Sequence, residues 1–395
     1  MKIQPTNSFH VSPSEVISAS LHFNGSGDKT RFEDAFARFC GARRAFIVES
    51  GTSALYFILM ALKKYSSKTE VILPAYTVPT LTLAVKKAGL IPRLSEISLN
   101  TFNLDHEKLH ERLTKNTLAV LPVHMFGFPM EMRKIQDLGK SRGFFVIEDA
   151  AQAIGATIGG KNVGGLTEAG IFSLCKGKIL SSFRGGVITT NDPDIEKALV
   201  EELDSISPPG IFFNIRVFFT LLLLAGATNP TFYGALLPLI SLFKSKTVHT
   251  RFTPQTATDF IARLGSFQLA HAQEQVEKRV ENGMMLYREL STVAGVRLPG
   301  IIPNAVPSFN HLPVMVEDEK MIGEITEALL ERGIDTARMY RLPIHQIYDL
   351  GYPLRPDPFP MASRLARGLF ILPTHPRMTK RDIQVIIDVM KDHLE

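Results

Sequence analysis

The sequence predicts an α/β fold with a mostly parallel central sheet covered by helices. The evidence is a set of short runs apolar at every position, helical patterns alternating with them, and polar or glycine-rich turns where the runs end. Ala45-Phe46-Ile47-Val48, Val71-Ile72-Leu73, Leu118 to Val123 and Phe144 to Ile147 are the runs. Strands apolar on both sides of the pleat belong in a parallel sheet with helices on both faces. Between them, Thr52 to Lys64 and Met130 to Arg142 space Leu, Met, Ile and Ala at helical intervals, which completes the alternation.

Composition agrees with a large buried core: 395 residues, 45% hydrophobic and 21% charged. The expected organisation is a large domain at 1–205, an apolar insert at 206–250, and a long helix with a smaller α+β C-terminal domain at 251–395. In the last part Ala257 to Val293 reads as one or two helices, Ser308 to Val316 as a strand and Met321 to Arg332 as a helix. Cys40 and Cys175 alone cannot make a disulfide framework or a cysteine-rich zinc site, and the N-terminus lacks an apolar secretory core, so the expected location is the cytoplasm. The net charge of +5 comes from scattered basic residues without interleaved aromatics, which argues against nucleic-acid binding.

The insert is foreign to the rest. From Val217 to Phe243 the chain carries no charge, between Arg216 on one side and Lys244, Lys246 and Arg251 on the other. Thr228-Asn229-Pro230 interrupts the run, and proline cannot continue a helix without losing a backbone hydrogen bond. The expectation is a helical hairpin lying on a membrane surface through 217–243, peripheral on the inner face. The alternative is burial against the protein itself or a second subunit.

Parallel sheets bind ligands at the carboxyl ends of their strands, where helix N-termini offer free N–H groups. After the first run, Gly51-Thr52-Ser53 opens a helix and suits either a phosphate or an ordinary N-cap. After the fourth, Glu148-Asp149-Ala150-Ala151-Gln152 places a carboxylate at a buried strand end. It could cap a helix, bind a metal or pair with a protonated pyridine nitrogen. Ser173-Leu174-Cys175-Lys176-Gly177-Lys178 places two lysines in an apolar stretch ahead of Gly185-Gly186. A poorly solvated lysine has a depressed pKa and can form a Schiff base, whereas a surface lysine snorkels to solvent. His124 closes the third run and either lines a site or sits satisfied in the core.

Together and in this order, these features resemble the DegT/StrS family of pyridoxal-phosphate (PLP)-dependent sugar aminotransferases, over most of the chain from Arg31-Phe32-Glu33 to Leu372-Pro373-Thr374-His375-Pro376. The resemblance implies the fold-type I aminotransferase architecture and a homodimer with sites at the interface. It further implies pyridoxal 5'-phosphate held by Lys178, with Lys176 the local rival. Asp149 would face the pyridine nitrogen and Gln152 the ring hydroxyl. Gly51, Thr52, Ser53 and Ser173 would face the phosphate. Tyr340 and His345 would approach the substrate, with His124 as a further candidate, and that substrate would be a nucleotide- or lipid-linked keto-sugar that receives its amine from an amino-acid donor, glutamate by the same resemblance. Relatives with His in place of the lysine are dehydratases, so Lys178 favours transamination.

The chain departs from the pattern around the cofactor. Val78 stands where an aromatic usually stacks on the ring, with Tyr76 a substitute only if the loop is rearranged. Phe252-Thr253-Pro254-Gln255-Thr256 lacks the Asn and Arg of the segment that reaches the other subunit's phosphate. Phe183-Arg184 replaces a small residue and Glu. These differences keep two alternatives in view: transamination of a non-sugar or lipid-like carbonyl, and a membrane-associated regulator that retains only the fold. His106 and His110 share a helical face, but the surrounding charges read as a solvated surface, so no metal site is expected.

Overall fold

The computed structural model describes residues 2–7, 11–21, 27–227, 233 and 250–395. The apolar runs become strands of one seven-stranded sheet in the order β1-β9-β8-β5-β4-β2-β3. These are β1 (Arg44–Val48), β2 (Glu70–Pro74), β3 (Ile91–Ser95), β4 (Thr117–Val120), β5 (Phe145–Asp149), β8 (Ala169–Ser173) and β9 (Gly186–Thr190). Strand β9 is antiparallel to both β1 and β8, while β8, β5, β4, β2 and β3 pair in parallel. Two short strands, β6 (Thr157–Ile158) and β7 (Lys161–Asn162), join β10 (Ala305–Val306) in a separate small sheet.

Strand β3 has no counterpart among the apolar runs of the sequence. It holds Pro92 and Arg93 and has no uniform apolar run, because it is an edge strand, where a missing N–H and an exposed side are tolerated. The reading also carried the third run to Val123. Pairing in β4 ends at Val120, and Val123 makes only an isolated bridge to Asp149.

Helices α1 (Pro13–Ser20), α2 (Asp28–Cys40), α3 (Gly51–Leu62), α4 (Thr80–Lys87), α5 (His106–Arg112), α6 (Met132–Arg142) and α7 (Pro193–Asp204) surround the sheet. The apolar residues of α3 run all the way round it because it is covered on all sides, by β8, β9, α4 and α7. Its Leu55, Phe57, Ile58 and Leu59 are completely buried, each contributing about 1.5–3 kcal/mol relative to exposure. On the opposite face, α2 and α9 (Asp259–Ala270) pack together around Phe32, Phe36 and Phe260.

The predicted long helical stretch divides into α9 and α10 (Ala272–Leu290), with a break at His271. Beyond it, β11 (Leu312–Met315) pairs antiparallel with β12 (Leu369–Leu372). Helices α11 (Glu319–Glu331), α12 (Ile344–Ile347), α13 (Pro360–Gly368) and α14 (Lys380–Leu394) complete this part. The start of α11 is fixed by Asp318, whose carboxylate accepts from the amides of Lys320 and Met321.

Within the insert, α8 (Ile211–Ala227) begins ahead of the uncharged run. Asn214, Val217 and Leu221 face inward, whereas Phe212 (84% exposed), Phe219 (60%) and Leu223 (74%) face out. The second half of the expected hairpin lies outside the described residues apart from Tyr233, whose hydroxyl donates to Asp335 Oδ2 at 2.7 Å. Among the described residues no helix is long and apolar enough to cross a membrane.

Candidate active site

The sheet register aligns the predicted strand ends. Val48 of β1 and Ser173 of β8 both pair with Gly186 of β9, and Asp149, the last residue of β5, pairs with Ile171. The glycine pair has a steric cause. A Cβ on Gly186 would lie 2.3 Å from the backbone carbon and oxygen of Ser50, so any larger residue would push away the turn entering α3. Ser50 holds an extended backbone as N-cap, and its Oγ accepts from Ser53 N at 3.1 Å. The amides of Gly51 and Thr52, in the first turn, have no intrahelical partner and carry the positive end of the helix dipole.

These elements enclose a cavity of about 340 Å³ whose lining includes Ser50, Gly51, Thr52, Asp149, Gln152, Ser173 and Lys178. Lys178 is partly buried, and burial lowers its amine pKa while the Asp149 charge works against that shift. Lys176 also reaches the cavity but is exposed. The turn between them needs Gly177 at φ +83°, and a Cβ there would lie 3.0 Å from Asn7 Oδ1. Asp149 is almost fully buried, which raises its carboxyl pKa. The Ala151 amide, donating to Oδ1 at 2.9 Å, and the Lys178 charge oppose the rise. Gln152 accepts from Phe126 N at 3.2 Å through Oε1. Thr52 Oγ1 meets Thr80 Oγ1 at 3.1 Å, and Ser173 Oγ accepts from Cys175 N at 3.3 Å.

The structure does not bring every candidate to the cavity lining. Ser53 is fully buried beneath it, its hydroxyl 3.1 Å from Ser50 Oγ and accepting from Gln255 N at 3.4 Å. His124 is a satisfied core residue: Nδ1 accepts from Met130 N at 2.9 Å, and Nε2 lies 3.2 Å from Glu148 Oε2. Glu148 is itself held by the amides of Gly164, Leu166 and Thr167. His345 is buried against Phe359, with Nε2 3.2 Å from Asp357 Oδ1. Tyr340 does line the cavity, and its hydroxyl pKa is raised by burial and by the Asp149 charge.

Val78 lines the cavity as an aliphatic side chain. Tyr76 does not replace the missing aromatic, because its ring is buried edge-on against Tyr340 and its hydroxyl donates to Met339 O at 2.7 Å. The Phe252 to Thr256 segment packs on its own chain's first strand, with Glu49 N donating to Gln255 O at 3.1 Å. His106 and His110 lie on α5 away from this cavity, and among the described residues no group of three or more His, Cys, Asp or Glu side chains could hold a metal.

Asn7, Asn310 and His311 also line the cavity and carry no signal of a site in the sequence pattern. Asn310 Nδ2 donates to Gly177 O at 3.2 Å and lies 2.9 Å from His311 Nδ1, while His311 Nε2 lies 2.9 Å from Asn7 Oδ1. This chain of contacts braces the lysine loop from the C-terminal side.

Comparison with known proteins gives the class. The profile of the DegT/DnrJ/EryC1/StrS aminotransferase family matches residues 14–209 and 246–391, and the chain belongs to that family. The match omits 210–245, the stretch that contains α8. GDP-perosamine synthase of Caulobacter vibrioides is 40% identical over 164 residues, spanning 42% of this chain and 44% of that relative. The dTDP-3-amino-3,4,6-trideoxy-alpha-D-glucose transaminase of Streptomyces venezuelae is 28% identical over 92% of this chain and 86% of its own length. The crystal structure of DesV from S. venezuelae superposes with a TM-score of 0.79 at 26% identity, covering 97% of this chain and 94% of that one. The fold is that of the fold-type I aminotransferases, and the chain is an aminotransferase-family enzyme.

Proposed function

We propose that this chain transfers an amino group from an amino acid, glutamate being the leading candidate, to a keto-sugar linked to a nucleotide or a lipid, using PLP, in amino-sugar or cell-surface glycan biosynthesis. The observation that carries the reading is the meeting of Lys178 and Asp149 in one cavity with the α3 N-terminus. The residues fit PLP. The Thr52 amide and the positive end of the α3 dipole suit a phosphate dianion, with Gly51 allowing close approach and the Thr52 and Ser173 hydroxyls as further donors. Ser53 supports this place from beneath by fixing Ser50. The buried carboxylate suits a protonated ring nitrogen, and Gln152 suits the ring hydroxyl. Bound there, PLP would supply an electron sink for the pair left when the α-proton departs.

The protein supplies positions and protons. Desolvation lowers the Lys178 pKa and so favours the neutral amine, whose Nζ would hold the cofactor's carbonyl carbon and would take the α-proton and return it as general base and acid. Asp149 would hold a proton at the ring nitrogen, and its burial would strengthen that contact by excluding water. Tyr340 and Val78 line the same cavity as Lys178. The named transaminase relatives support a sugar substrate, and family membership supports a homodimer.

The division at 1–205, 206–250 and 251–395 belongs to the same reading, as does a cytoplasmic enzyme whose insert touches the inner face of a membrane. The outward row of Phe212, Phe219 and Leu223 beside Arg216 supports that contact. Incubation with PLP and glutamate, followed by detection of 2-oxoglutarate, tests the first half of the reaction; no product under saturating PLP would refute it. Flotation with anionic vesicles tests the membrane contact, and a protein that stays at the bottom of the gradient would refute that part.

A further inference from the structure

Residues 2–7 cross the C-terminal part of the chain as a strap that ends at the lysine loop. Gln4 N donates to Gly333 O at 2.8 Å, and Asp335 N donates to Gln4 O at 2.9 Å. Gln4 Nε2 donates to Asp382 Oδ2 at 2.8 Å, His375 Nε2 lies 2.8 Å from Pro5 O, and Thr6 Oγ1 donates to Asp335 Oδ2 at 3.0 Å. Ile3, Gln4 and Thr6 are buried by these ties, whereas Asn7 is half-buried and lines the same cavity as Lys178.

The path from Asn7 to the loop has a fixed hydrogen-bond sense. Gly177 O can only accept, so the Asn310 amide presents Nδ2 to it, at 3.2 Å. That nitrogen is a donor alone, so His311 Nδ1, 2.9 Å away, accepts from it. The ring proton then sits on Nε2 and is donated to Asn7 Oδ1 at 2.9 Å. Burial holds the His311 pKa well below 6.5, with the Arg279 and Lys178 charges acting in the same direction, so the ring stays neutral. The same Asn7 oxygen lies beside the turn itself, since a Cβ on Gly177 would be 3.0 Å from it. Asn7 therefore bears on the residue before Lys178 twice, directly and through His311 and Asn310.

We propose that Asn7 is a positioning residue for Lys178, carried to the lysine loop by the strap and acting through Gly177. This rests on the aminotransferase reading above and adds to it a residue that acts on the lysine rather than on the substrate. Lys178 N donates to Cys175 O at 3.3 Å, and Gly177 between them holds φ +83°, a left-handed turn that sets the direction in which Lys178 leaves the backbone. Removing the Asn7 oxygen takes away the side-chain acceptor that keeps the His311 proton on Nε2. The proton can then move to Nδ1, which no longer accepts from Asn310, and the tie to Gly177 O slackens.

The test compares full-length N7A and N7D with the wild type at about pH 8, where the imidazole stays neutral. Truncation at the half-buried end of the strap removes no core packing, and N7D keeps an acceptor oxygen for His311. In cofactor-free protein, amide hydrogen exchange in the peptide spanning Cys175 to Leu180 is expected to speed up about tenfold in N7A, with peptides from α3 and β5 unchanged. After addition of PLP, the rate at which borohydride-fixable cofactor accumulates on Lys178 should fall about tenfold to a hundredfold in N7A, the loss expected of a reacting group misplaced by about 1 Å, and N7D should recover most of it. Unchanged exchange in the loop, or unchanged capture, overturns the proposal. Equal acceleration in α3 and β5 assigns Asn7 to general stability and overturns it too. N7D as slow as N7A removes the acceptor oxygen as the cause and does the same. If the wild-type protein takes no PLP on Lys178, the aminotransferase reading itself falls and the positioning role falls with it, while a surviving exchange difference leaves the brace as structure alone.

Discussion

Asp149→Asn isolates the buried charge in the cavity lining with little change in shape. An amide in the same rotamer keeps an oxygen for the Ala151 amide, so local packing survives. The carboxylate that would hold the proton of the ring nitrogen is lost. Removing one partner of a buried charge pair costs roughly 3–5 kcal/mol, which at about 1.36 kcal/mol per decade is roughly two to four orders of magnitude in turnover. Stability should move the other way. Burial raises the folded pKa of Asp149, so its ionised form is a liability to the cofactor-free fold at neutral pH. The cofactor-free variant should therefore melt at or above the wild-type temperature at pH 7. That gap should narrow as pH falls through the raised folded pKa, where the wild-type carboxyl takes up its proton. Glutamate-dependent formation of 2-oxoglutarate gives the rate, and thermal melts across pH give the stability. Turnover within tenfold of wild type would refute the role assigned to Asp149.

Other consequences follow from individual contacts. Lys178→Ala should abolish borohydride-fixed cofactor on the lysine loop while Lys176→Ala retains it, as read by peptide mapping; the opposite pattern would reassign the lysine. Gly186→Ala places a methyl 2.3 Å from the Ser50 backbone and should destabilise the fold by at least about 2 kcal/mol, visible as a lower urea midpoint; an unchanged midpoint would contradict the packing described. His375 is buried with Nε2 2.8 Å from Pro5 O, and burial lowers its pKa to about 3. The unfolded chain takes up a proton that folded His375 refuses, so stability should fall as pH drops from about 6.5 towards 3, and His375→Gln should reduce that slope in urea titrations. An unchanged slope would remove His375 as a cause of acid sensitivity. Phe212→Gln with Phe219→Gln should lower co-sedimentation with anionic vesicles; equal sedimentation would take α8 out of any membrane contact.

The central strands and the carboxyl-end cluster were legible because both depend on local pattern. Uniform apolar runs mark buried parallel strands, and Gly51, Asp149, Ser173 and Lys178 each stand where such a strand ends or just beyond it. Strand β3 was hidden because an edge strand needs no continuous apolar run, and Arg93 instead pairs with Glu70 at 2.7 Å. His124 could not be placed from sequence, since a histidine beside a site and one satisfied by a buried carboxylate look alike until the partner is seen, and His345 is set by its burial against Phe359 beside the half-buried Asp357. Glu148 lies 24 residues from His124. The Asn7, Asn310 and His311 brace is similarly non-local, joining residues 304 positions apart at the contact between His311 and Asn7. Ser50 and Ser53 stand on either side of Gly51-Thr52, and only the cap geometry shows that Ser50 is the one lining the cavity.

Whether Lys178 and Asp149 form a working PLP site is tested most directly by the visible spectrum of the purified protein with PLP. Addition of PLP should produce an absorbance band that glutamate bleaches, and borohydride should fix the cofactor on the peptide containing Lys178. No band at saturating PLP, or label fixed on another lysine, would contradict the account.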